Sequence, residues 1–312
     1  MGVPARQSRS APFGASVDAL ARRHFGGAVD ALAPAAERLV DVERRMLALA
    51  AEYKALFAPS GLALYVRRCR AEVRPQGLYW GRVFDFVMPD GTVKKYRWHL
   101  RMRRLTSHAI YAYARRWDDL EARELLRDFD RRRRELNGGH ARLAVPLARL
   151  RRRLTLRIPR GRETAAAHPA VAAPFAIRNG DALLDGLWRV AWACASTEAE
   201  MLRLVLEGRA KLPPWRLFPY AATGEDGFTA VGWAAPARVL RDGRWRAGRR
   251  HLSNRLSRAK LRLLGVPGSL WPPFLAFDLA VRPLRREHAR YAGRLGIVKR
   301  VGRRLAKGGL CR

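Results

Sequence analysis

The sequence predicts a mainly α-helical protein of the α+β class, carrying two small β-hairpins. A hairpin-plus-long-helix domain comes first and a helical, basic domain follows. Three observations support this. Long stretches repeat apolar residues at helical spacing. Two short stretches are rich in aromatic and β-branched residues, each interrupted by Asp-Gly. Between the halves lies a segment of Ala, Pro and Gly with little periodicity. With 312 residues, 48% hydrophobic content and nine Trp, the chain is long and apolar enough for about two cores.

Residues 1–33 read as a flexible basic arm with one short helix at most. The start, MGVPARQSRSAPFG, lacks the apolar stretch of a secretory signal. Pro34 suits a first helical position, and Leu39, Met46, Leu49, Tyr53 and Leu56 recur at helical spacing. They predict a helix from Pro34 to Phe57, stopped by Pro59-Ser60-Gly61. The next signal is a strand, Leu78 to Val87, then the turn Pro89-Asp90-Gly91, then a strand from Thr92 to Leu100: a β-hairpin. Cations and aromatics interleave on its second strand.

Thr106 reads as the N-cap of a helix ending near Leu136, with Asn137-Gly138-Gly139 as the stop. Tyr111, Ala122, Leu125, Leu126, Phe129 and Leu136 form its apolar face. Arg116, Arg123, Arg127 and Arg134 line another. A second helix, Ala141 to Leu154, is expected to fold back on it, completing a domain over 34–154. Residues 155–178 read as a linker.

The second domain, 179–281, opens with a helix capped by Asn179 and running through Trp188 and Trp192. Ser196-Thr197-Glu198-Ala199-Glu200 has the form of a capping box opening another helix. Residues 213–227 read as a loop. Phe228 to Ala234, Val239, Asp242-Gly243 and Trp245 predict the second hairpin, and a basic helix from Leu252 is stopped by Gly265. Residues 282–312 form a basic tail. Both halves thus run strand, Asp-Gly, Arg-Trp strand, basic helix. Matching Arg97-Trp98 to Arg244-Trp245 leaves both an internal repeat and chance open.

Charge decides the functional reading. Lys and Arg number 62 against 27 Asp and Glu, a net charge of +35. A GC-rich genome enriches Arg, but it enriches Asp, Glu and Ala codons too, so it does not create the imbalance. Three runs remain cationic after acids are subtracted. Residues 140–162 hold eight Arg and no acid; 238–262 hold ten cations and one acid; 282–312 hold eleven and one. Such confined like charge repels itself, and a phosphate backbone relieves it by counterion release. Nucleic acid is the expected partner, DNA favoured over RNA, bound through Lys94, Arg97, His99 and Arg101 on the first hairpin. Alternation is taken to place Lys95 on the other face, with Tyr96 and Trp98 filling the side opposite the duplex or stacking on bases of a single-stranded target. On helices and on the second domain, Arg116, Arg123, Arg127, Arg134, Arg151, Arg152, Arg153, Arg249, Arg250, Arg255, Arg258, Lys260 and Arg262 are the further candidates.

No catalytic signature accompanies them. There is no phosphate-cradling Gly-Lys-Ser/Thr loop, dinucleotide glycine fingerprint, nucleophile elbow or paired helical His site. Asp118, Asp119, Glu121, Glu124 and Asp128 cluster, but Asp119 with Arg123, Asp128 with Arg132 and Asp130 with Arg134 are acid-before-base pairs that support an exposed helix. The expectation is a non-enzymatic protein without cofactor or metal, cytoplasmic and nucleoid-associated. Cys69, Cys194 and Cys311 are too scattered for a disulfide framework. Three rivals stand beside DNA binding: an RNA-binding or ribosome-associated protein, a peripheral scaffold on anionic membrane using 263–281 and the basic tail, and an enzyme whose signature the sequence does not display. The hairpin with its Asp-Gly turn and following helix, residues 78–137, loosely resembles the small DNA-binding arm domains of mobile-element integrases. That resemblance implies a plasmid, phage or conjugative-element setting and assigns no residue.

Overall fold

The structure, a computed structural model, describes residues 9–10, 14–57, 61–69, 72–100, 104–106, 108, 120–155, 175, 177, 180–241 and 244–307. It is mainly helical with two small antiparallel sheets, as expected. The helices are α1 (Val17–Phe57), α2 (Leu120–Thr155), α3 (Gly180–Lys211), α4 (Arg258–Leu263) and α5 (Trp271–Lys307). The strands are β1 (Arg9–Ser10), β2 (Leu62–Cys69), β3 (Glu72–Val87), β4 (Val93–His99), β5 (Phe218–Thr223), β6 (Thr229–Arg241) and β7 (Arg244–Ser253). One sheet has the order β2-β3-β4, the other β1-β5-β6-β7. Two compact units result. The first is built mainly on Leu32–Arg153, the second mainly on Leu184–Arg300 together with α1 up to Ala31.

Each unit runs helix, three-stranded meander, helix, and each sheet packs a fully buried Trp from its central strand against the following helix, Trp80 in the first and Trp233 in the second. In the first unit Leu62, Leu64, Leu78 and Trp80 alternate on one face of the sheet, and all are buried. Trp80 packs edge-on to Tyr53 of α1, and Tyr53 meets Phe129 of α2, each with ring centroids 5.3 Å apart. Burying an indole requires a partner for its N–H. Nε1 of Trp80 donates to Oδ1 of Asp130 at 2.8 Å. The second unit repeats this. Trp233, fully buried, packs edge-on to Phe274 and Phe277 of α5 and donates Nε1–H to Asp278 Oδ1 at 3.1 Å. In both units a Phe immediately precedes the accepting Asp, and an Arg one turn later bonds it: Arg134 at 3.1 Å and Arg282 at 3.1 Å.

Several local start and stop signals are overridden. α1 begins at Val17 and passes through Pro34, because Leu20, Ala21, Phe25 and Ala28 continue a buried stripe ahead of the proline. α2 runs unbroken through Asn137-Gly138-Gly139, so the expected helical hairpin is a single helix. Asn137 does not cap; its Oδ1 accepts from Leu78 N and its Nδ2 donates to Leu78 O, both at 2.8 Å. α3 passes through Ser196-Thr197. The Thr197 hydroxyl donates back to the carbonyls of Ala193 and Cys194 instead of capping a new helix. β2 and β5 add a strand to each expected hairpin. The basic helix starts at Arg258, since Leu252 and Ser253 still belong to β7; Gly265, at φ +66°, follows its end as expected.

Candidate nucleic-acid interface

Strand register decides which cations stand together. Gly81 pairs with His99, Val83 with Arg97 and Asp85 with Lys95, while Phe86 pairs with Lys94 and Arg82 with Trp98. Residues opposite each other share a face. Lys95, not Lys94, therefore shares a face with Arg97 and His99, correcting the expected arrangement. Lys94 lies with Tyr96 and Trp98 on the face whose inner end is the Trp80 core. Beyond the core that face is open. Phe86, Tyr96 and Trp98 are 49%, 45% and 67% exposed, and the ring of Tyr96 lies 5.5 Å from Phe86 and 6.2 Å from Phe84.

The outer face of the first sheet gathers Tyr65, Arg97 and His99. The Tyr65 hydroxyl is 3.0 Å from Nδ1 of His99, and the Arg97 guanidinium lies 4.8 Å over the Tyr65 ring. Burial pushes the Tyr65 phenol up, against the pull of the Arg97 and Arg67 charges. The phenol thus stays protonated, and it shares one hydrogen bond with Nδ1 of His99. Gly81 makes the arrangement possible. A Cβ there would stand 2.8 Å from the Tyr65 ring and 3.0 Å from Cγ of Arg97.

The outer face of the second sheet carries the same three residue types. The Tyr220 hydroxyl is 2.5 Å from Nδ1 of His251, and Arg249 lies 4.9 Å over the Tyr220 ring. Burial raises Tyr220 against the nearby charge of Arg249. Burial also lowers Arg209 on α3, and the charge of Arg249 adds to that shift. A glycine again makes room: a Cβ on Gly232 would meet Tyr220 and His251 at 3.1 Å each.

The other sequence candidates are divided. Arg101 and Arg116 lie outside the described residues. Arg134 is committed to Asp130, so it braces the Trp80 core. Arg123 and Arg151 are half-buried on α2, where Arg127, Arg152 and Arg153 are exposed. Arg249 is half-buried; Arg250, Arg255, Arg258 and Arg262 are exposed, and among the described residues none of these five pairs with a carboxylate. Lys260 is exposed but donates to the Ser253 hydroxyl at 2.6 Å and the Arg255 carbonyl at 3.3 Å, closing the loop ahead of α4. Of the expected acid-before-base pairs, Asp128–Arg132 (3.8 Å) and Asp130–Arg134 (3.1 Å) form. His251 stands on β7.

Charge reading missed Tyr65, Tyr220 and His251. A signal existed: Phe-Asp-x-x-x-Arg recurs at 129–134 and 277–282, and Arg-x-His stands at 97–99 and 249–251, although it also stands at 22–24 and 286–288. The Arg-Trp match pointed to the wrong register. No protein-family model, curated protein or solved structure matches this chain.

Glu198, expected to close a capping box, is buried in the middle of α3. His24 Nε2 lies 2.6 Å from it, Arg23 donates at 2.8 Å, His288 is 3.7 Å away, and the Thr229 hydroxyl donates to it. Burial opposes its ionisation, but the His24, His288 and Thr229 contacts outweigh burial and hold it well below the ordinary carboxylate range. Burial dominates at His24 and lowers it. The arrangement is a neutral imidazole donating to a carboxylate whose charge Arg23 balances. Among the described residues no group of His, Cys, Asp and Glu has the arrangement of a metal site.

Proposed function

We propose that this chain is a non-enzymatic nucleic-acid-binding protein that holds duplex DNA through arginine–phosphate contacts, in the setting of a bacterial mobile element. One observation carries the reading. Arg249, Arg250, Arg255, Arg258 and Arg262 follow one another along β7, the next loop and α4, and among the described residues none has a carboxylate partner, in a chain of net charge +35. Placing so many unneutralised guanidinium groups in one neighbourhood is costly unless a polyanion covers them. Phosphate contacts give affinity without sequence choice, so weak base discrimination is expected.

The test is a competition assay at fixed salt with duplex DNA, duplex RNA and single strands of equal length. Duplex DNA should compete best. Preferential competition by duplex RNA would favour the RNA alternative. A second reading rests on the open face of Phe86, Tyr96 and Trp98, where exposed rings beside Lys94 form a surface on which unpaired bases stack. On that reading Trp98→Ala weakens single-strand binding severalfold and leaves duplex binding unchanged; equal losses on both would refute it. In the segment of the membrane alternative, Val266, Phe274 and Val281 are buried in their own unit, whereas Leu263 and Leu279 are exposed.

A further inference from the structure

We infer that the chain is an internal duplication, and that the Tyr–Arg–His group on the outer face of each sheet is a phosphodiester-binding site, so that one chain holds nucleic acid at two equivalent points. The inference rests on the nucleic-acid reading above and adds the site and its number.

The register supplies an alignment of one half with the other. Gly81 pairs with His99, and Ala234 pairs with His251. With His99 set against His251, Arg97 falls on Arg249 and Asp90-Gly91 on Asp242-Gly243 without a gap. On the central strands Trp80 falls on Trp233. Across from them, Leu64 pairs with Trp80 and Pro219 with Trp233, which sets Tyr65 against Tyr220. Most positions have diverged: Trp98 stands against Arg250, Tyr96 against Gly248, Tyr79 against Gly232 and Val83 against Pro236.

Two sets persist. One is the buried Trp with its accepting Asp, which the fold requires. The other is Tyr, Arg and His on the outer face, which the fold does not require. A partly exposed Tyr–His hydrogen bond and a surface Arg–ring contact contribute only about 1 kcal/mol each. Retention of a solvent-facing trio through such divergence points to a ligand.

The chemistry of the trio names the ligand. The Tyr ring holds the guanidinium against the sheet and leaves its N–H groups for an anion. A second cation converges on each site: Arg67 acts on the Tyr65 phenol, and Arg209 neighbours Arg249. Among the described residues neither Arg97 nor Arg249 pairs with a carboxylate. A rigid planar guanidinium fork held over the Tyr ring suits the non-bridging oxygens of a phosphodiester.

The experiment measures the affinity of the full chain for a fluorescein-labelled duplex DNA by anisotropy across a salt series. It compares the natural protein with Arg97→Ala, Arg249→Ala and the double variant. Both side chains lie on the outer faces, and unchanged circular dichroism and unfolding midpoint establish that folding is intact. Each single variant should bind roughly tenfold more weakly and flatten the log–log salt slope by about 0.9. The double variant should lose about a hundredfold and about 1.8 of slope. If the natural protein binds DNA and both single variants keep its affinity and slope, the paired site is overturned while the nucleic-acid reading stands. If only one variant has an effect, equivalence of the two sites is overturned. If the natural protein binds no nucleic acid, the underlying reading falls, and this one with it.

Discussion

Replacing Asp130 with Ala removes the acceptor around which the first core is organised. Four donors converge on it: Trp80 Nε1 at 2.8 Å, Leu105 N at 3.1 Å, Arg133 Nε at 3.0 Å and Arg134 Nε at 3.1 Å. Trp80, Leu105 and Arg133 are buried, so water cannot easily replace the lost partner. An orphaned indole and an orphaned amide cost about 1–3 kcal/mol each. Removing one member of a buried ion pair costs about 3–5 kcal/mol by itself. These terms overlap, and a total of about 4 kcal/mol is the expected destabilisation. Asp278→Ala should fall in the same range, since Trp233, Arg282 and Arg285 lose their shared acceptor. The control is Asp128→Ala, which removes partly exposed pairs with Arg131 and Arg132 and should cost under about 1 kcal/mol. Urea unfolding followed by tryptophan fluorescence measures all three. If Asp130→Ala lies within about 1 kcal/mol of Asp128→Ala, the clamp does not organise the core, and the structural parallel between the units loses its main support.

Two further outcomes follow from the geometry. Gly81→Ala places a methyl group against the Tyr65 ring and Arg97; it should weaken duplex binding about as much as Arg97→Ala while costing only about 1–3 kcal/mol of stability. Unchanged binding would mean that the ring can move without consequence. Stability should fall on acidification. Burial lowers His24, so the unfolded chain takes up the proton first, and stability is lost as pH drops below about 6.5. Glu198, Asp130 and Asp278 are also lowered, so their contribution is present above about 4.5 and is lost as pH falls through their folded-state values. Unfolding midpoints at pH 8, 6, 5 and 4 should therefore decline, with the steepest drop last. A midpoint that rises from pH 7 to pH 5 would contradict this sign.

What the sequence made legible follows the strength of local signals. The two Asp-Gly turns between β-branched and aromatic stretches located β3–β4 and β6–β7. The third strands were hidden: β2 ends in the polar run Arg67-Arg68-Cys69, and β5 carries Pro219. Pro34 and Ser196-Thr197 are local start signals and Asn137-Gly138-Gly139 a local stop, yet burial of Phe25, Phe129 and Val205 around them outweighs those preferences. Charge located Arg97, His99 and Arg249. It passed over Tyr65 and Tyr220, whose role appears only when the sheet brings their hydroxyls to an imidazole. It also read Asp130 as half of an exposed pair; the pair with Arg134 forms, but its carboxylate is buried beneath Trp80.

The most direct test of the account is the salt dependence of duplex DNA binding by the whole chain. Arg97, Arg249, Arg250, Arg255, Arg258 and Arg262 as phosphate contacts predict a log–log slope of roughly −5, with binding still measurable near 150 mM salt. A slope near zero, or no association with DNA at that ionic strength, would contradict it.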